Sequence, residues 1–169
     1  ETPLPPPDGR WIAFFSGGML RKVPVEGGTP IVVAKALAPR GACFAPDGSL
    51  VFAPLYTGGL FRVGGSGGEP VAVTSVDTAK GERSHRWPQV LPDGRTVIFT
   101  VGDSSSPGNY DGSNIEAQNL DSGERRIILK RAKMARYTAL GYLLFQRGET
   151  LLAAAFDAAQ ATRAGDATL

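Results

Sequence analysis

Apolar residues in this chain fall into short runs separated by turn-forming residues. Typical runs occupy residues 50–52, 96–99 and 142–145. They are too short for the amphipathic helices of a bundle, and glycine and proline interrupt the sequence between them. Strands of about five or six residues suit such runs. The pattern therefore predicts an all-β chain of many short strands joined by tight turns.

The runs belong to an internal repeat. Its clearest marker is a proline, an aspartate and a glycine in succession, found at 7–9, 46–48 and 92–94, each just before an apolar run. A degraded fourth copy ends at Gly141. A second, glycine-containing turn follows in each of the first three copies, so one unit of about 42 residues contains two hairpin turns and four strands. This is the length and strand content of a β-propeller blade.

The repeat divides the chain into four units within a single domain, 1–169. Their approximate limits are 1–35, 36–80, 81–131 and 132–169. The first unit lacks its innermost strand, which gives 15 strands in all. One segment is ambiguous, because residues 151–164 contain seven alanines and no glycine or proline and favour a helix by propensity. Its position in the repeat predicts a strand over 150–156.

Four blades form either a small closed propeller or an arc that is part of a larger ring. An arc leaves two apolar blade faces bare, which soluble monomers rarely tolerate. We therefore expect pairing with a second copy of the chain or with further blades. The chain opens at Glu1, and we expect its native start to lie upstream.

Composition excludes several kinds of site. Eighteen Lys and Arg residues against 16 Asp and Glu residues leave a formal charge of +2, which gives no reason to expect a nucleic-acid partner. Cys43 and His85 are the only residues of their types, so an intrachain disulfide and a Cys and His metal site are excluded. No cofactor is indicated. No apolar run approaches the 18 or so residues of a membrane-spanning helix.

The repeat units resemble the TolB-type, WD-like propeller repeats. Residues 81–95, followed by 115–125 and 141–153, more specifically resemble the propeller that follows the kinase and membrane-spanning segments of certain bacterial serine/threonine protein kinases. This resemblance covers nearly the whole chain. It implies a non-catalytic binding or sensing module for a protein or a small anionic ligand, and it favours a periplasmic or other extracytoplasmic location. The kinase motifs themselves are absent from this sequence, and we expect no enzymatic activity.

Two alternatives to this function remain open. The same repeats precede prolyl-oligopeptidase-like hydrolases, which would make the chain the accessory propeller of an enzyme. The bare faces of an arc would instead suit a self-assembling structural fragment.

A register comparison gives the candidate ligand-binding residues. Arg40, Arg86 and Lys133 each lie six residues before the first turn of a unit, on the strand expected to be innermost. Three cations at one register would surround a mouth of the central channel and attract an anion. The alternative is that strand ends are simply polar. Four positions after the cations, Phe44, Val90 and Tyr137 are expected in the core.

Four further features have a structural and a functional interpretation. His85 lies beside the predicted ring and is included as a ligand-binding candidate, although a hydrogen-bonded structural role is simpler. Residues 64–68 match the nucleophile-elbow pattern but align with a hairpin turn. Residues 103–114 are rich in oxygen donors without calcium-loop spacing and are expected to form a mobile contact loop. The basic stretch 125–136 is expected to be a solvated strand edge.

Overall fold

The computed structural model describes residues 9–163, which form four antiparallel sheets. The first sheet contains β1 (Trp11–Ser16), β2 (Met19–Pro24) and β3 (Ile31–Lys35). The second contains β4 (Ala42–Phe44), β5 (Leu50–Phe52), β6 (Phe61–Val63) and β7 (Val71–Ala72). The third contains β8 (Glu82–Val90), β9 (Thr96–Asp103), β10 (Asn114–Asn119) and β11 (Arg125–Lys130). The fourth contains β12 (Lys133–Tyr137), β13 (Tyr142–Arg147), β14 (Thr150–Asp157) and β15 (Thr162–Arg163). A short 3-10 helix, Thr78–Lys80, precedes β8.

Each sheet is one blade, with its strands hydrogen-bonded in chain order. The β-propeller architecture predicted from the repeat is confirmed, and the blades have three, four, four and four strands within the described residues. Turn aspartates act as expected: Asp47 Oδ1 accepts from the backbone N–H of Ser49 at 3.0 Å, and Asp93 Oδ1 accepts from those of Arg95 and Thr96. The first turn's proline and aspartate lie outside the described residues.

The alanine-rich segment forms strand β14. It pairs along its length with β13, from Tyr142 opposite Ala155 to Arg147 opposite Thr150. Phe156 at its end is buried in the core. Ladder pairing and burial therefore override the helix propensity of the alanines, as tertiary context commonly does.

Three apolar clusters join consecutive blades. The first lies between blades one and two and includes Leu20, Val33 and Phe52. The second lies between blades two and three, and the third between blades three and four. Phe44 and Val90 are buried as expected, and Tyr137 packs against the third cluster.

The two end blades expose apolar side chains on the faces opposite these clusters. Strand alternation places Val32 on the free face of blade one, where it is 47% exposed, because its neighbour Val33 is buried in the first cluster. Tyr142 and Leu151 lie on the free face of blade four and are 47% and 66% exposed. These are the bare surfaces expected of an arc of blades.

Candidate functional site

The first strands of blades two, three and four lie side by side and are tied by hydrogen bonds. The Trp87 N–H donates to the Arg40 carbonyl at 2.8 Å, so the start of blade two meets β8. Gln89 bonds β12 twice, since its amide nitrogen donates to the Tyr137 carbonyl at 3.1 Å and its oxygen accepts from the Tyr137 N–H at 2.7 Å. Positions that correspond in the repeat are therefore neighbours in space.

The backbone turns in the same way after each of the three predicted ring cations. Gly41, Trp87 and Met134 directly follow Arg40, Arg86 and Lys133, and their φ angles are 104°, 50° and 55°. Pairing with the next strand is interrupted there in β8 and β12. A Cβ on Gly41 would lie 2.9 Å from the Trp87 Cα, so glycine is required at this close approach.

This backbone geometry is costly for residues other than glycine. A left-handed conformation costs an L-residue roughly 1–2 kcal/mol, and bulky residues such as Trp87 seldom adopt it. Strained residues of this kind cluster at ligand-binding and active sites. The start of the inner strands therefore has the backbone strain that is typical of functional sites.

Three arginines gather there, and we call Arg40, Arg83 and Arg86 the arginine cluster. Arg86 is only 7% exposed. Its Nε donates to Ser84 Oγ at 3.0 Å and its Nη2 donates to the Tyr56 carbonyl at 2.7 Å. Both acceptors are neutral, so these bonds satisfy donors without balancing the charge.

The cluster lacks an internal counter-charge. Burial, together with the positive charges of Arg40 and Arg83, lowers the pKa of the Arg86 guanidinium below its ordinary value. An arginine nevertheless stays protonated in proteins. Among the ion pairs within residues 9–163, none includes a member of the arginine cluster. The cluster therefore carries net positive charge, with Arg86 buried and Arg40 and Arg83 half-buried.

Aromatic rings surround these cations. The guanidinium carbon of Arg86 lies 4.6 Å from the centroid of the Tyr110 ring, and that ring meets Trp87 edge-on at 5.2 Å. Arg83 lies over the ring of Tyr56 at 5.6 Å. Cation–π contacts of this kind stabilise the arginines but leave their charge uncompensated.

Lys133, the third predicted ring cation, has a different environment. Its Nζ pairs with Asp111 Oδ1 at 2.7 Å. Asp111 belongs to the loop of residues 104–113 between β9 and β10, the segment expected to be a contact loop. The three predicted ring cations therefore differ, because Lys133 has a carboxylate partner, whereas no ion pair within residues 9–163 includes Arg40 or Arg86.

His85, the fourth candidate ligand-binding residue, is buried and bonded within the protein. It is 0% exposed, and its Nδ1 lies 2.7 Å from Thr74 Oγ1, which accepts from the Leu60 N–H. The Glu82 carboxylate can only accept, so the Nε2–H donates to it at 3.2 Å, and Nδ1 of the neutral ring accepts from the Thr74 hydroxyl. Burial, and next the charge of Arg125, lower the pKa of His85 to about 4. The histidine is consequently neutral at pH 7, and both of its ring nitrogens are bonded within the protein.

A network of charges extends from His85. Glu82 and Glu116 both pair with Arg125. A surface cavity of about 690 Å³ lies beside this network, lined by residues 72–79 with Gln118, Gly123 and Arg125. Because two carboxylates already balance Arg125, this cavity offers an anion less unpaired charge than the arginine cluster does.

The match to the nucleophile-elbow pattern is explained by local structure. Residues 64–68 form the turn between β6 and β7, as the hairpin interpretation predicted. Within residues 9–163, no group of three or more His, Cys, Asp or Glu side chains is placed to hold a metal ion. No helix in that part of the chain is long and apolar enough to cross a membrane.

Sequence reasoning missed Arg83, Tyr56 and Tyr110. The three-residue spacing of Arg83 and Arg86 gave no signal, because residues three apart on a regular strand point to opposite faces of the sheet. The register of β8 shifts between Glu82 and Ser84, which the sequence does not indicate. Tyr110 had a usable signal, since it is the one aromatic residue in the inserted loop.

No known protein-family model matches the sequence, and no curated protein matches it significantly. Among solved structures, the chain is similar to a TolB-like protein from Agrobacterium tumefaciens, with a TM-score of 0.72 and 16% identity over 98% of this chain and 61% of that one. It is also similar to a calcium-binding regucalcin from the same organism, with a TM-score of 0.70 and 14% identity over 100% of this chain and 58% of the other. A third similar structure is a puromycin hydrolase, with a TM-score of 0.63 and 16% identity over 96% and 27% of the two chains.

At such identities the likeness shows the β-propeller fold alone. The chain spans about three fifths of the length of the first two structures.

Proposed function

We propose that this chain is a non-catalytic binding module that holds an anionic ligand, an acidic protein segment or a small anion, at the arginine cluster. One observation carries the proposal: Arg86 is buried, its described bonds are to neutral acceptors, and Arg40 and Arg83 add charge of the same sign beside it. A buried charge without a counter-ion is costly. An incoming carboxylate or phosphate would supply that counter-ion.

The chemistry of arginine suits this role. A guanidinium binds carboxylates and phosphates through paired, charge-assisted hydrogen bonds. The formal charge of the whole chain is only +2, so attraction would come from this local concentration of cations rather than from the protein as a whole.

A charge-removal experiment tests the proposal. We compare the double variant Arg40→Gln/Arg86→Gln with a control, Arg95→Gln/Arg126→Gln, which removes the same charge from two exposed positions outside the arginine cluster. Binding of a fluorescently labelled hexaglutamate peptide is measured by anisotropy, with pyrophosphate as a competing small anion. Hydrogen bonds to charged groups contribute about 1.5–3 kcal/mol each, so the first variant is expected to bind at least tenfold more weakly.

The control variant is expected to bind like the wild type. Circular dichroism checks that the glutamines leave the fold intact. Equal affinity of the two double variants for both probes contradicts the proposal.

The resemblance to kinase-attached propellers supports a sensing role for the same site. In that role the propeller would report the presence of its ligand to a kinase in the same polypeptide. The coding sequence upstream tests this directly, because a sensing role of this type requires a kinase and a membrane-spanning segment there. A hydrolase encoded downstream would instead favour the accessory-propeller alternative.

Self-association is a second candidate function, favoured by the bare end faces. Val32 on blade one and Tyr142 and Leu151 on blade four present apolar surface that a neighbouring blade would cover. A second copy of the chain would supply such blades.

A further inference from the structure

Only part of the 104–113 loop packs against the candidate site. Residues 104–109 are exposed, whereas Tyr110 is half-buried and packs against Arg86 and Trp87. The next residue, Asp111, pairs with Lys133. A weaker attachment is the bond that Arg83 Nη1 donates to the Pro107 carbonyl at 3.2 Å.

These contacts are of the kind expected of a bound ligand. An aromatic ring covers one ring cation and a carboxylate neutralises another, and both belong to adjacent residues of one short loop. A ring stacked on a guanidinium and a carboxylate on an ammonium group are common modes of peptide recognition. Tyr110 and Asp111 therefore show that this surface accommodates an aromatic ring on Arg86 and a carboxylate on Lys133, supplied by consecutive residues of one segment.

We propose that Tyr110 and Asp111 are an internal occupant of the binding site, and that the external ligand is a protein segment in which an aromatic residue is followed directly by an acidic one. The loop and this ligand compete for Arg86, Trp87 and Lys133. This inference rests on the proposed function, because it names the ligand class of the same site.

Competition of this kind lowers the apparent affinity of the free protein. The apparent dissociation constant is the intrinsic one divided by the fraction of molecules in which the loop is undocked. The attachment consists of one cation–π contact, one aromatic edge contact and an ion pair whose aspartate side chain is 49% exposed, none of which is strong alone. Removing it is expected to raise peptide affinity about tenfold.

The experiment measures binding of a capped, labelled peptide with the sequence of residues 109–112. A control peptide has its tyrosine and aspartate exchanged. Both are titrated into the wild type, into Tyr110→Ser/Asp111→Asn, and into Asp121→Asn, which removes one carboxylate from an exposed pair with Arg95 away from the site. A single variant, Asp111→Asn, serves if the double variant is not folded.

The proposal predicts that the double variant binds the first peptide about tenfold more tightly than the wild type and Asp121→Asn do, and more tightly than it binds the exchanged peptide. Equal affinity of the variant and the wild type overturns it. So does equal affinity for the two peptides, or loss of binding in the variant.

The proposed function is judged separately. Hexaglutamate or pyrophosphate binding that depends on Arg40 and Arg86, but is unchanged by the loop substitutions, leaves the binding module intact and removes the internal occupant. Peptide binding by Tyr110→Ser/Asp111→Asn that does not require Arg86 overturns the inference, because the aromatic residue of the peptide is expected to pack on that side chain. Hexaglutamate and pyrophosphate binding that does not depend on Arg40 and Arg86 contradicts the binding module itself.

Discussion

His85 is expected to make the stability of this protein depend on pH between 7.5 and 5. Its pKa is about 4 in the folded chain, because burial and the charge of Arg125 disfavour the imidazolium, and 6.5 is the ordinary value that applies after unfolding. Over this interval the unfolded chain binds more protons than the folded chain, so acidification favours unfolding. From these two values the free energy of unfolding falls by about 2 kcal/mol between pH 7.5 and pH 5.

This change in stability can be assigned to His85, because few other side chains titrate between pH 7.5 and 5. His85 is the only histidine, and burial raises the pKa of the only cysteine, Cys43, to about 11. Carboxylates with ordinary pKa values titrate mainly below pH 5. Urea denaturation followed by tryptophan fluorescence, repeated at half-unit steps of pH, gives the free energy of unfolding across the interval.

The variant His85→Gln provides the control. It retains a hydrogen-bonding side chain in the place of the imidazole and does not titrate, so its stability is expected to be nearly flat from pH 7.5 to 5 whatever its absolute value. The conclusion that His85 is buried and neutral is refuted if the free energy of unfolding of the wild type changes by less than about 0.5 kcal/mol between pH 7.5 and 5, or if the variant shows the same change as the wild type.

Two further predictions concern close packing and assembly. Gly59→Ala places a Cβ 1.9 Å from the Thr74 carbonyl oxygen. It is expected to lower the free energy of unfolding by about 2–5 kcal/mol, through overpacking and the loss of the hydrogen bond from the Leu60 N–H to the Thr74 hydroxyl. Gly58→Ala has open space around the added Cβ and is expected to cost about 1–2 kcal/mol, because a φ of +92° is unfavourable for alanine. Equal melting temperatures of these two variants would be contrary to the packing described. Light scattering is expected to give a mass above 17.7 kDa for the wild type and a lower one for Leu151→Lys, and a wild-type monomer of 17.7 kDa excludes self-association.

Much of the fold could be predicted because its information is local and repeated. A turn of proline, aspartate and glycine specifies its own conformation, and its recurrence fixes the period of the blades. Even β14, whose alanines favour a helix, follows from its place in the repeat. The repeat says nothing of how the two end faces are covered, since that depends on surfaces outside the blade.

The site was predictable only in part. Register alone predicted that Arg40, Arg86 and Lys133 start the inner strands at the same end, because corresponding residues of a repeat occupy corresponding places. That they bind a ligand stays a prediction. The pairing of Lys133 with Asp111 could not be foreseen, since it depends on the conformation of an insertion that the other blades lack. The burial of His85 likewise depends on contacts from Thr74 and Glu82, which no spacing indicates.

The bare faces of the end blades determine what kind of assembly self-association can produce. They belong to opposite ends of the row of blades and differ in sequence, so a contact that covers both joins unlike surfaces of two molecules. Head-to-tail contacts of this type close into a ring when the rotation per molecule divides a full turn, and otherwise continue as a filament. The angle between neighbouring blades, set by the side chains packed between them, would then decide whether the assembled protein is a discrete particle or a fibre.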